Sequence, residues 1–143
     1  MAKRKNVSTK KTKGKNEKIA QESYLIDFDI NGKDMASMVN DRRCYICCQG
    51  SEEESHFEIA SDIKTIIEHC RNQEEYLLSD RPIKESLFRV ILMNGNKPMT
   101  LDEIHGILSD KWSLAPYPRD ISRKLLKNLI DNADEYGIIS KNN

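Results

Sequence analysis

Long apolar runs are missing from this chain, and no stretch approaches the ~20 consecutive apolar residues a bilayer-spanning helix needs. No membrane role is expected. Glycine is scarce, with six in 143 residues, and none cluster into a loop that could cradle phosphates. Neither a Gly-x-Ser-x-Gly elbow nor a His-Glu-x-x-His helix occurs. Carboxylates are plentiful, but none pair across an apolar segment in a way that would raise a pKa. His105, beside Ile104, reads as a surface or satisfied histidine. Cys47 and Cys48 follow Arg42 and Arg43, which could lower a thiol pKa, yet no segment supplies a substrate pocket. Catalysis is therefore not expected. Aromatics are few as well. Trp112 falls in register with an apolar helical stripe and reads as core, whereas Tyr117, between Pro116 and Pro118, suits a contact residue or a packed one equally.

What is present is charge, and it is segregated. The formal net charge is zero, with 23 basic and 23 acidic residues making up 32% of the chain. Residues 1–18 hold Lys3, Arg4, Lys5, Lys10, Lys11, Lys13, Lys15 and Lys18 against Glu17 alone, a net +7. The remaining 125 residues balance this with −7, from 15 basic and 22 acidic side chains. With almost nothing to bury, the arm is expected to be disordered when alone. It has no apolar core after its charges, so it does not read as a secretory signal. Four cysteines without such a signal point to a reducing cytoplasm, where clustered thiols hold metal more often than they form disulfides.

The pattern divides into a basic arm (1–18), a small cysteine-containing α+β module (19–73) and a helical domain (79–143), without internal repeats. In the module, Tyr24 to Ile30, alternating apolar and polar from Ile26 onward, predicts a half-buried strand closed by a turn at Asn31-Gly32. Met35, Met38 and Val39 suggest a short helix over 33–41, and Ser61 or Asp62 could cap a helix from Ile63 to about Cys70. Between them lies the knuckle Cys44-x-x-Cys47, a spacing at which two thiolates grip one tetrahedral ion. A structural zinc site needs two more ligands. Cys70 and one histidine are the favoured completion, with His56 preferred over His69 because adjacent helical residues point ~100° apart and would share an ion only where the helix frays. The other reading is that these are buried thiols packed as small hydrophobes. The module's thin core favours a metal brace.

From Asp80 onwards the chain reads as helix after helix. Ser79 or Asp80 could cap a first helix with Pro82 in its opening turn, carrying Ile83, Leu87, Val90 and Ile91. Asn94 to Pro98 breaks it. Thr100-Leu101-Asp102-Glu103 is a capping box opening a second helix with Ile104, Leu108 and Trp112. A third, beginning near Arg119 to Ser122, presents Leu125, Leu126, Leu129 and Ile130, and Gly137 precedes a short strand. This order of helix, short extended piece, helix, loop, helix and strand resembles the winged-helix or helix-turn-helix superfamily over about 60 residues. The expected fold class is thus α+β, mainly helical, with a winged-helix-like C-terminal domain.

The resemblance implies that the third helix enters the DNA major groove and that a hairpin after it forms a wing. Here the chain ends three residues after Ser140, which allows a strand but not a hairpin. On that helix Arg119, Arg123 and Lys127 recur every four residues with Lys124 beside them, a row suited to phosphate contacts or simply to a solvated face. Lys3, Arg4, Lys5, Lys10, Lys11 and Lys13 of the arm would add a sequence-independent, salt-sensitive attraction, unless the arm is a solubility tail or a docking peptide. The expectation is a non-enzymatic, DNA-associated protein, such as a transcriptional regulator. The alternative is a protein–protein adaptor on a polymerase or ribosome, and a ribosomal setting would give the arm RNA as its partner.

Overall fold

A computed structural model of the chain describes residues 22–30, 33–48, 58–116, 119 and 121–142, with Lys33 and Asn142 as backbone only. The fold is α+β and mainly helical, with six α-helices and a three-stranded sheet among the described residues. In chain order these are β1 (Glu22–Ile26), α1 (Lys33–Asp41), α2 (Tyr45–Cys48), α3 (Ile59–Glu68), α4 (Ile83–Met93), β2 (Met99–Thr100), α5 (Leu101–Trp112), α6 (Arg123–Ile130) and β3 (Ile138–Asn142). Short 3-10 turns at Cys70–Asn72, Glu74–Leu77 and Asp134–Tyr136 join them.

The sheet order is β2-β1-β3, antiparallel throughout, so the strand nearest the N-terminus is the central one. Tyr24 pairs with Met99 on one side and with Ser140 on the other. Tyr24 and Ile26 alternate into the interior as a half-buried strand requires. The strand stops at Ile26, short of the alternation expected through Ile30. Asp27 explains this: its carboxylate accepts from the Asp29 N–H at 3.0 Å and its carbonyl from Ile30, turning the chain back. On the β2 side, Pro98 has no N–H to continue the ladder. The Asn96 side chain takes over instead, accepting from the Ile26 N–H at 2.7 Å and donating to the Ile26 carbonyl at 2.9 Å. Asn96 itself sits at φ 59°, a left-handed conformation asparagine tolerates better than most residues.

Helix α4 is the centre of the core, burying Ile83, Leu87, Phe88, Val90, Ile91 and Leu92. Its first turn follows Pro82, which occupies the cap position without a side-chain cap bond, so neither Ser79 nor Asp80 serves as the cap expected from the sequence. The capping box of α5 is present in full: Glu103 N–H donates to Thr100 Oγ1 at 3.2 Å, and Thr100 N–H donates to Glu103 Oε1 at 2.9 Å. Trp112 is buried, its indole N–H donating to the Leu77 carbonyl at 2.9 Å. Helix α6 starts at Arg123 because Ser122, extended at ψ 155°, accepts the Leu125 N–H and fixes the first turn there. Gly137, at φ 72°, ends the turn before β3 and brings its carbonyl to the Asp27 N–H at 2.8 Å.

Buried side chains from Tyr24, Met35, Val39 and Ile66 to Leu126, Ala133 and Ile138 form one cluster that spans the cysteine-containing zone and the helices after residue 79. A charged joint reinforces this continuity. Arg42, just after α1, donates twice to Glu85 of α4, at 3.0 and 2.7 Å, and stacks over Phe88 at 5.1 Å. Arg89 and the Tyr136 hydroxyl donate to the same carboxylate, at 2.7 and 3.1 Å. Burial alone would raise the Glu85 carboxyl, but the two guanidiniums outweigh it and hold it at about 2. Among the described residues no helix is long and apolar enough to cross a membrane.

Candidate metal centre

The knuckle begins where α1 ends. Arg42 N–H and Arg43 N–H close turns onto the Val39 and Asn40 carbonyls, and α2 then carries Cys47 back over Cys44, with the Cys48 N–H bonded to the Cys44 carbonyl at 3.0 Å. Arg43 clamps this segment from outside, donating to the carbonyls of Asn40 and Cys47 and approaching Asp62 of α3 at 3.7 Å. Asp62 is nearly buried and also accepts from Asn40 Nδ2 at 3.0 Å. A residue expected to cap α3 therefore lies inside its first turn, where it ties α3 to the knuckle; the cap position is taken by Glu58.

Opposite the knuckle, α3 stops at Glu68. His69 leaves the helical region at φ −133°, ψ −60°, and Cys70 starts a 3-10 turn. This break removes the ~100° divergence of adjacent helical side chains. His69 Nδ1 consequently lies 3.4 Å from both Cys44 Sγ and Cys47 Sγ, and Cys70 Sγ lies 3.8 Å from Cys47 Sγ. All four ligand atoms fall within 4.8 Å of one another, an arrangement compatible with a structural metal site. Three members of the set favoured from sequence thus meet here, and the histidine brought to them is His69; His56 lies outside the described residues. Cys48 points elsewhere, its Sγ near the Asn40 and Arg43 carbonyls at 4.0 and 3.7 Å.

The cluster is electrostatically suited to a cation. Cys44 and Cys70 are buried, and the Cys44 N–H donates to Cys70 Sγ at 3.1 Å, the kind of bond that stabilises a thiolate. Burial nevertheless pushes the Cys70 thiol up to about 12, with Cys44 and Cys47 adding to the shift, and burial raises Cys47 too. At Cys44 burial is outweighed by hydrogen bonds from Cys47 and Cys70, and its thiol is lowered. Three thiols this close favour ionising together only with a positive charge between them, which a divalent ion held there would supply.

The predicted cationic residues are distributed differently. Lys3, Arg4, Lys5, Lys10, Lys11 and Lys13 lie outside the described residues. Arg119 precedes α6 rather than belonging to it. Its guanidinium donates to the carbonyls of Ser79 and Arg81 and lies 5.8 Å from the Trp112 ring, so it ties the segment ahead of α4 to the end of α5. Arg123 reaches Asp102 of α5 at 2.6 Å, with both side chains 62% exposed. Lys127 bonds Glu22 at 2.9 Å and Asp131 at 2.8 Å, and these bonds raise its pKa. Lys124 is exposed and makes no ion pair among the described residues. Nothing in the local sequence signalled the Glu22–Lys127 pair, whose members are 105 residues apart. Comparison with protein-family models, curated proteins and solved structures gave no match.

Proposed function

We propose that this protein is a non-enzymatic, zinc-braced module that binds duplex DNA through its basic arm and helix α6. The observation that carries the reading is that Arg123, Lys124 and Lys127 are all exposed along α6. In the sequence the +7 segment ends at Lys18, four residues before Glu22. Phosphate neutralisation by lysine and arginine gives affinity that falls steeply with salt. Filter binding to duplex DNA at rising salt tests this: the expected result is binding at low salt with a strong salt slope. Negligible affinity at low salt with the arm intact removes it.

The metal in this reading is structural zinc. Zinc with sulfur ligands at ~2.3 Å and nitrogen at ~2.0–2.1 Å gives tetrahedral edges of about 3.8 Å between sulfurs and about 3.6 Å between sulfur and nitrogen. The 3.8 Å and 3.4 Å separations lie close to those edges. Three thiolates and an imidazole leave no open coordination position, which suits a structural rather than a catalytic ion.

A second reading is a protein–protein adaptor on a larger assembly. It is favoured by the carboxylates of Asp102, Glu22 and Asp131, which already neutralise Arg123 and Lys127. Deletion of residues 1–18 separates the two. A shortened chain that has lost all DNA affinity yet still captures one defined protein partner supports the adaptor.

A further inference from the structure

Resting on the zinc reading above, we infer that the metal centre is also a peroxide-reactive dithiol: Cys47 is oxidised, Cys70 closes a disulfide onto it, and the metal leaves. The thiol ligands are not equally shielded. Cys44 and Cys70 are buried, whereas Cys47, on the four-residue α2, is only half-buried. A hydroperoxide therefore reaches the Cys47 sulfur first. Cys48 is half-buried too, but its Sγ lies beside the Asn40 and Arg43 carbonyls and outside the ligand set. It lacks the metal that holds Cys47 in the thiolate form, the form that attacks a peroxide.

Cys70 is placed to finish the reaction. The Cys47 thiolate attacks one peroxide oxygen; the O–O bond breaks, hydroxide leaves with the electron pair, and Cys47 becomes a sulfenic acid. The Cys70 thiolate, 3.8 Å from the Cys47 sulfur, then attacks that sulfur. The S–S bond forms as the S–O bond breaks, and a second hydroxide leaves. Two thiolates thus give two electrons to one peroxide, which ends as two hydroxides. The Cys44 N–H, 3.1 Å from Cys70 Sγ, stabilises negative charge on the attacking sulfur. The sulfurs must close by about 1.8 Å to reach a disulfide length of ~2.05 Å. Cys70 sits in a 3-10 turn after the break at Glu68, so this approach does not require α3 to unwind. Cys44 and His69 alone cannot complete a tetrahedral site, and the zinc is released. The new bond joins the same two segments, the knuckle and the end of α3, so their cross-link outlasts the metal.

The test is titration of the full, zinc-loaded chain with hydrogen peroxide, using a chromogenic chelator to read the metal. The expected result is release of the whole zinc content at about one peroxide per chain, reversed by a dithiol reductant. Trypsin then locates the bond. Cleavage after Arg43, Lys64 and Arg71 leaves Cys44, Cys47 and Cys48 in peptide 44–64 and Cys70 in peptide 65–71. The expected product is these two peptides joined, with fragmentation placing the bond at Cys47. The oxidised, zinc-free chain should keep a cooperative thermal transition that the reduced, chelator-stripped chain lacks, and Cys48→Ser should respond as the natural chain does. Four results overturn the inference while leaving the zinc site standing: zinc that stays bound under peroxide, a disulfide confined to peptide 44–64, an oxidised chain without cooperative unfolding, or a Cys48→Ser variant that no longer releases metal. A chain that carries no zinc when purified overturns the underlying reading instead.

Discussion

Replacing Glu85 by alanine should be among the most damaging single changes in this protein. The carboxylate accepts two bonds from Arg42, one from Arg89 and one from Tyr136, and its side chain is 13% exposed. Deleting it leaves two largely buried guanidiniums without a counter-charge, a loss of about 3–5 kcal/mol for a broken buried pair. Against a total stability of roughly 5–15 kcal/mol, that brings the chain near its unfolding threshold. The same group gives a pH signature. Its folded-state pKa, about 2, lies below the ordinary 4.5, so its contribution is complete above about pH 4.5 and is lost as the pH falls towards 2. The shift corresponds to about 3 kcal/mol, reduced to about 2 kcal/mol by solvent reaching one side of the carboxylate. Urea unfolding of the natural chain and the Glu85→Ala variant between pH 7 and pH 3 measures both effects. The natural chain should lose stability on acidification more steeply than the variant. A variant within 1 kcal/mol of the natural chain at pH 7, with an overlapping acid profile, refutes the argument that this joint holds the two zones together.

Gly137→Ala should destabilise by about 1–3 kcal/mol in thermal unfolding, because φ is 72° and an added Cβ would lie 3.1 Å from Met35 Cε and 3.2 Å from the Asp27 carbonyl. Asn96→Ala removes both bonds to Ile26 and should cost about 1–3 kcal/mol in urea unfolding, with faster amide exchange at Ile26. Competition with a chromogenic chelator should show that His69→Ala and Cys47→Ser lose metal affinity, while His56→Ala and Cys48→Ser keep it.

Much of the local structure could be read from the sequence because its causes are local. The Thr100/Glu103 box, the stripe ending at Trp112 and the glycine before β3 each depend on residues within a few positions. The Cys44-x-x-Cys47 knuckle was legible for the same reason, whereas Cys70, 23 residues beyond Cys47, was reached through ligand chemistry and not through local spacing. Features set by partners far along the chain were not. The pairing of Glu22 with Asn142 and the Arg42–Glu85 joint join segments more than 40 residues apart, and no periodicity records them. The choice of histidine depended on where α3 stops: an ideal helix through Cys70 disfavours His69, whereas a break at Glu68 brings it to the thiols. For the same reason Arg119 could be counted in the cationic row, since helical spacing does not reveal that it falls ahead of the Ser122 cap.

Elemental analysis of the chain purified without added metal tests the central claim most directly. The account predicts one zinc per chain, bound by Cys44, Cys47, His69 and Cys70, and loss of cooperative unfolding when a strong chelator removes it. A metal-free protein with an unchanged unfolding transition, or a Cys44→Ser variant retaining stoichiometric zinc and full stability, contradicts it.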